Sequence, residues 1–213
     1  MLIVYSGHRV ACYCGGMNAI AGMDRVTGIL LAAGSSQRFG ADKQPTLIGG
    51  VPMLTRATRL LLDAGLVNPI VVLGPRAADH RPLLAGLLLR IVENPAAASG
   101  MASSLVAALD AAGDCDAIVI TVCDQPAVTA AHLRALVAAW RSTGSSIVAS
   151  SYSGIRGVPA LFAAKHFAEL RQLHGDRGAG PLLARHADSV HLLPLPGGEV
   201  DIDTPADLTR LEP

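Results

Sequence analysis

Several things are scarce in this chain. Charge of either sign is not in surplus: over 213 residues, 17 basic side chains balance 17 acidic ones. With no net positive charge and no lysine/arginine block, the sequence argues against a nucleic-acid partner but leaves room for a local cationic pocket. No apolar run approaches the roughly 18–20 residues of a membrane span. Residues 1–23 lack the basic start, apolar centre and small-residue cleavage site of a secretory signal. Gly15, Gly16 and Gly22 disrupt any helix there, so this stretch reads as an extension to a core domain spanning 24–213, with Met23 as a candidate start. Cysteines are few: Cys12 and Cys14 lie in the extension, and Cys115 and Cys123 flank one predicted strand without an evident disulfide partner. Reduced thiols in a cytoplasmic protein follow. Two phosphate-binding motifs are missing as well. Neither Gly34 nor Gly40 leads into the Gly-Lys-Ser/Thr of a Walker A loop, and Ser35-Ser36 after Gly34 breaks the dinucleotide fingerprint. The second absence argues against an oxidoreductase.

Aromatic residues make up only 3 % of the chain, whereas 51 % is hydrophobic, mostly alanine, leucine and valine. That composition suits an α/β protein with buried parallel strands. Strands are predicted at Val26–Ala32, Pro69–Leu73, Leu88–Val92, Ala117–Val122, Ser146–Ser150, Val158–Phe162 and His191–Leu195. Helices are predicted at Pro52–Ala64, Asp79–Leu87, Met101–Ala111, Thr129–Trp140, Ala163–Leu173, Pro181–His186 and Ala206–Leu211, with Thr129 as an N-cap. Ser150–Gly157 and Gly197-Gly198 read as turns. The alternation implies a single doubly wound, mainly parallel sheet, whose ligands gather at the carboxyl ends of the strands.

Three chemically loaded segments fall at that edge. The first is Leu31-Ala32-Ala33-Gly34-Ser35-Ser36, followed by Arg38, Phe39, Gly40 and Lys43. Small side chains let backbone N–H groups approach an anion, and Arg38 and Lys43 add positive charge; a plain strand-to-helix turn is the alternative. The second is Asp124, directly after an apolar strand, and the third is Asp201-Ile202-Asp203-Thr204-Pro205. Strand-like alternation would put Asp201 and Asp203 on one side, and Thr204 competes with Asp203 for capping the last helix. Asp124, Asp203 and Asp201 are therefore candidate ligands for Mg²⁺ (or Mn²⁺). A nucleoside triphosphate carries about four negative charges, and a divalent cation lets another phosphate approach its α-phosphorus. Because a phosphate nucleophile is already ionised, no histidine base is needed. The seven histidines are scattered and read as surface or packing residues.

The stretch Leu-Ala-Ala-Gly-x-x-x-Arg-Phe-Gly-x-x-Lys resembles the Leu-Ala-Ala-Gly-x-x-x-Arg-Met-Gly-x-x-Lys signature of nucleotidyltransferases of the MobA-like superfamily, with Phe39 in place of methionine. Asn94-Pro95 with Gly100–Leu105, Asp124-Gln125-Pro126, Gly154–Phe162, His174–Ala179 and Asp201–Pro205 are similar, in order, to motifs of molybdenum cofactor cytidylyltransferases. That resemblance covers residues 27–211. It implies transfer of a cytidine monophosphate from CTP to molybdopterin with release of pyrophosphate, and an apo molybdenum hydroxylase as a downstream partner. Ala33, where the guanylyl enzymes carry glycine, points to the cytidylyl branch. The resemblance also implies roles for residues: Arg38, Lys43 and Asp124 in catalysis; Leu31–Ser36 with Ser103 and Ser104 on the nucleotide; and Arg156, Gly157, Pro159, Asp176 and Arg177 on the acceptor side. Capping of a helix is the plain alternative for the serines.

Overall fold

The computed structural model describes residues 25–34 and 39–209. The 1–23 extension with Cys12 and Cys14, and the predicted site residues Ser35, Ser36 and Arg38, lie outside the described residues.

Nine strands are described: β1 (Val26–Ala32), β2 (Leu47–Ile48), β3 (Val51–Pro52), β4 (Val67–Leu73), β5 (Arg90–Glu93), β6 (Ala117–Val122), β7 (Ile147–Tyr152), β8 (Ile155–Ala163) and β9 (His191–Pro194). Helices α1 (Met53–Asp63), α2 (Ala77–His80), α3 (Met101–Ala111), α4 (Ala130–Thr143), α5 (Phe167–Leu170), α6 (Gly180–Arg185) and α7 (Pro205–Leu208) connect them. Seven strands form one sheet in the order β5-β4-β1-β6-β8-β7-β9. All neighbours pair in parallel except those of β8, which runs antiparallel to β6 and β7.

The continuous apolar runs are explained by burial on both faces. Along β1, Leu30 and Ala32 point into one core, with α1 and α4 (Leu54, Leu61, Leu133, Leu136). Ile29 and Leu31 point into the other, with α3 and α6 (Leu105, Leu109, Leu182, Leu183). Thr129 caps α4 by accepting a hydrogen bond from the His132 N–H at 3.1 Å. Among the described residues no helix is long and apolar enough to cross a membrane.

Several predicted segments shift at their ends, among them β5, which begins at Arg90 and not Leu88, and α4, which runs on to Thr143; four others also differ from the structure. Asp79–Leu87 is not one helix: α2 ends at His80 and a 3-10 turn follows over Arg81–Leu84, where Pro82 removes a backbone donor. Ala163–Leu173 likewise divides into a 3-10 turn, Ala164–His166, and the short α5. The last helix, α7, starts one residue early, with Pro205 at its first position, and ends at Leu208. Ser150–Gly157 is mostly strand: β7 and β8 continue into it and join through Ser153 and Gly154, whose positive φ values of 46° and 75° make a tight two-residue hairpin. This hairpin carries Arg156 and Gly157 to the carboxyl edge of the sheet.

Phe162 on β8 is fully buried between the sheet and its helical cover. Phe162→Ala should lower unfolding free energy by about 3–5 kcal/mol, read as a shifted urea midpoint with an unchanged slope.

Candidate nucleotide and metal site

The end of β1 opens into the turn Ala33-Gly34, and the chain returns at Lys43. Gln44 fastens this return. Its buried amide donates to the Ala32 carbonyl at 3.0 Å and to the Gly34 carbonyl at 3.3 Å. Its own carbonyl accepts from Leu54 N–H at the start of α1. The β2–β3 hairpin, which the sequence reading did not anticipate, leads the chain from Gln44 into α1. Phe39 packs against the core beneath it. On the other side, a Cβ added to Gly74, just after β4, would lie 2.6 Å from the Ala33 carbonyl oxygen. The turn is thus backed closely by main chain.

Lys43 is the centre of this edge. Its Nζ donates to Asp124 Oδ2 at 2.6 Å, lies 3.5 Å from Asp203 Oδ1 and reaches the Ile202 carbonyl at 3.4 Å. The three charged side chains are largely enclosed, at 11 % exposure for Lys43, 21 % for Asp124 and 29 % for Asp203. Burial disfavours the Lys43 charge, but the Asp124 carboxylate outweighs it and the pKa lies above the usual lysine value. The strand order explains the meeting. β6 adjoins β1 and delivers Asp124, and the C-terminal segment is pinned by Ile202, fully buried, whose N–H donates to the Asp124 carbonyl at 2.9 Å. Thr204, not Asp203, caps α7, in a capping box with Asp207, so Asp203 faces Lys43. Asp201 is exposed and neighbours Tyr152, whose phenol burial and the Asp201 charge push up. Residues 201–203 form no regular strand.

The fit to a divalent cation can be judged from these contacts. Two carboxylates and a carbonyl converge on one positive charge, an all-oxygen donor set suited to a hard ion such as Mg²⁺ or Mn²⁺. The residues present fit such an ion.

Other predicted site residues take distinct places. Ser103 and Ser104 both accept from the Asn94 amide, at 2.8 and 3.0 Å. Ser104 is buried, and Ser103 donates to the Gly100 carbonyl; the two hydroxyls hold the 94–100 loop to α3. Gly100, at φ 115°, abuts Gly175, where a Cβ would come within 2.4 Å of the Gly175 carbonyl carbon. This contact brings Asp176 and Arg177, both exposed, to the start of α3. Pro159 is buried, and Arg156 is exposed on the hairpin.

Sequence reasoning missed four residues. Asp42 lies 2.7 Å from His80 Nε2 in a hydrogen bond and forms an ion pair with Arg76 at 3.2 Å, anchoring the residue next to Lys43. Gln125, buried behind Asp124, donates to the Gly198 carbonyl at 3.1 Å. Gln44 completes the set, with Gly74. The only available signal was proximity to Lys43 and Asp124 in sequence, and that applied to three of the four.

Residues 28–190 match the MobA-like NTP transferase domain. The chain belongs to this family. It is similar to the nicotine blue oxidoreductase of Paenarthrobacter nicotinovorans, 30 % identical over 87 % of the chain and 96 % of that protein. It is also 30 % identical to a probable molybdenum cofactor guanylyltransferase of Opitutus terrae, over 74 % of the chain and 77 % of that protein. The bifunctional enzyme IspD/IspF of Anaeromyxobacter dehalogenans is 38 % identical over 40 % of the chain, which spans only 23 % of that enzyme. The crystal structure of Rv0371c from Mycobacterium tuberculosis superposes with a TM-score of 0.76 at 30 % identity, covering 88 % of the chain and 97 % of Rv0371c. A manganese complex of Rv0371c superposes with a TM-score of 0.74 at 28 % identity, over 88 % of the chain and 97 % of that structure.

Two outcomes follow from this geometry. Gly74→Ala should raise the KM for nucleotide by roughly tenfold, about 1.4 kcal/mol of lost binding, and lower the melting temperature as well, because the added Cβ meets main chain and not a movable side chain. Cys123, beside Asp124, is buried, and burial followed by the Asp124 charge pushes its thiol up to about 12. At pH 8 roughly one molecule in ten thousand carries the thiolate. Mass-spectrometric mapping after iodoacetamide should show Cys123 unmodified in the folded protein and alkylated in urea.

Proposed function

We propose that this NTP transferase is a divalent-cation-dependent cytidylyltransferase that joins the cytidine monophosphate of CTP to molybdopterin and releases pyrophosphate in the cytoplasm. The observation that carries the reading is the Lys43 ammonium gathered between Asp124 and Asp203 beside the Ala33-Gly34 turn. Asp124 and Asp203 would hold Mg²⁺ or Mn²⁺. When bound, the ion neutralises charge on the phosphate oxygens and orients them. Backbone N–H groups of the Leu31–Ser36 turn, with Ser35 and Ser36, would hold the triphosphate tail, and Arg38 and Lys43 would offset charge building at the α-phosphorus. Arg156, Gly157 and Pro159, with Asp176 and Arg177, would shape the acceptor pocket. Ser103 would reach the nucleotide through the loop it steadies, and Asp201 would line the outer rim. The acceptor phosphate attacks as an anion, so no side chain needs to take its proton. The choice of CTP rests on Ala33 and on the family resemblance. Finished cofactor would then pass to an apo molybdenum hydroxylase.

A second reading, an oxidoreductase on this scaffold, is favoured by the similarity to the nicotine blue oxidoreductase. Pyrophosphate release measured with CTP, GTP and ATP, against molybdopterin and against sugar phosphates, separates the readings. Turnover confined to CTP with molybdopterin is expected. Turnover with another pair overturns the substrate assignment, and cofactor binding without pyrophosphate release marks a delivery protein. Nicotinamide or flavin binding without transfer favours the oxidoreductase. Asp124→Ala should cut kcat about a hundredfold or more, about 3 kcal/mol of transition-state stabilisation, with an unchanged circular dichroism spectrum; activity within about threefold of wild type refutes the role given to Asp124.

A further inference from the structure

We propose that His166, Glu169 and His186 form a second metal site, for a borderline divalent ion such as Zn²⁺ or Co²⁺, at the edge of the sheet remote from Lys43. His166 ends the 3-10 turn after β8, Glu169 lies in α5 and His186 directly follows α6. The turn follows Ala163, which pairs with Ala117 at the start of β6, whereas Asp124 lies just past the end of that strand. The six residues of β6 separate the two places by roughly 20 Å.

One ligand atom from each of the three side chains falls within 4.8 Å of the other two. His166 Nδ1 is 3.1 Å and His186 Nε2 is 3.2 Å from the same carboxylate oxygen, Glu169 Oε1. In a tetrahedral zinc site with bonds of about 2.0–2.2 Å, neighbouring ligand atoms lie about 3.4 Å apart. Two of the three edges already have this size. The third, between the imidazoles, closes by a modest turn of the His186 ring, which is partly exposed and stands at 69° to that of His166. Two imidazoles and one carboxylate select a transition ion over Mg²⁺ or Ca²⁺.

A supporting group fixes the buried ligand. Ser146 Oγ lies 2.9 Å from His166 Nε2. When Nε2–H donates to this hydroxyl, Nδ1 turns its lone pair toward the cluster, the arrangement that second-layer partners impose on ligating histidines. His166 is 6 % exposed, so its ring has little freedom to turn otherwise. Glu169 and His186 are open enough, at 31 % and 26 % exposure, for water to complete the coordination. Arg185 Nη1, 3.3 Å from Glu169 Oε2, competes for that carboxylate from an exposed side chain. The ion would clip the end of α6 to the turn after β8 and, through Ser146, to the entry of β7. It thereby braces the helix that follows Asp176 and Arg177.

The test is a Co²⁺ titration of the full chain with Cys12→Ser and Cys14→Ser introduced, in excess Mg²⁺, read by the visible ligand-field band. One Co²⁺ per chain is expected, with affinity about tenfold or more weaker in Ser146→Ala or His186→Ala, tighter in Arg185→Ala, and unchanged in Asp124→Asn. Zn²⁺ should compete for the site and raise the melting temperature of the wild type more than that of His186→Ala. His186 is on the surface, so its loss leaves the fold intact, as circular dichroism will check. No band, an undiminished band in His186→Ala, or loss of the band in Asp124→Asn overturns the proposal. None of these readouts uses nucleotidyl transfer, so failure here and failure of the proposed function are separable.

Discussion

An ammonium group placed between two carboxylates, mostly out of water, is the contact around which the candidate site of this protein is organised. Withdrawing ions from water is costly, and removing one partner of such a set leaves an unpaired enclosed charge. Lys43, Asp124 and Asp203 come from three distant parts of the chain and must therefore arrive together. The fold ensures it: β1 and β6 are adjacent and parallel, and the C-terminal segment is bound to Asp124 through the main chain of Ile202. The two carboxylates hold the lysine charged and supply oxygen donors of the kind a hard cation takes. An anionic substrate and its counter-ion would both find partners there.

The surrounding residues serve this contact by restricting main chain. Gln44 ties the return of the loop to the strand end, Gly74 brings the β4 loop against Ala33, and Asp42 with His80 anchors the residue next to Lys43. On the far side, Gly100 and Gly175 approach so closely that two loops from different halves of the chain share one surface. The β7–β8 hairpin and the Ala33-Gly34 turn reach the same edge of the sheet although more than a hundred residues separate them.

Much of this was legible in the sequence, for a physical reason. Strands buried on both faces are continuous apolar runs, so β1 and β6 could be delimited to the residue. Asp124 stood out because a carboxylate ends such a run. Capping chemistry was also readable, at Thr129 directly and at Thr204 as a competitor to Asp203. What stayed hidden depends on pairing across the chain. The antiparallel β8 was not foreseen, because a two-residue hairpin through Ser153-Gly154 looks like loose turn material until its φ values are known. Gln44, Gly74 and Gln125 act through contacts with backbone, which leave no pattern in sequence. The histidines read as scattered because they are scattered along the chain; only the return of α6 toward the end of β8 brings His166 and His186 to one glutamate.

The Lys43 cluster is tested most directly by crystals grown with Mn²⁺ and a non-hydrolysable CTP analogue, using anomalous scattering to locate the ion. The account predicts a manganese peak bound by both Asp124 and Asp203, with the triphosphate against the Ala33-Gly34 turn and Lys43 on a phosphate oxygen. A peak that excludes either aspartate, or a triphosphate bound elsewhere with Lys43 still on Asp124, would contradict it.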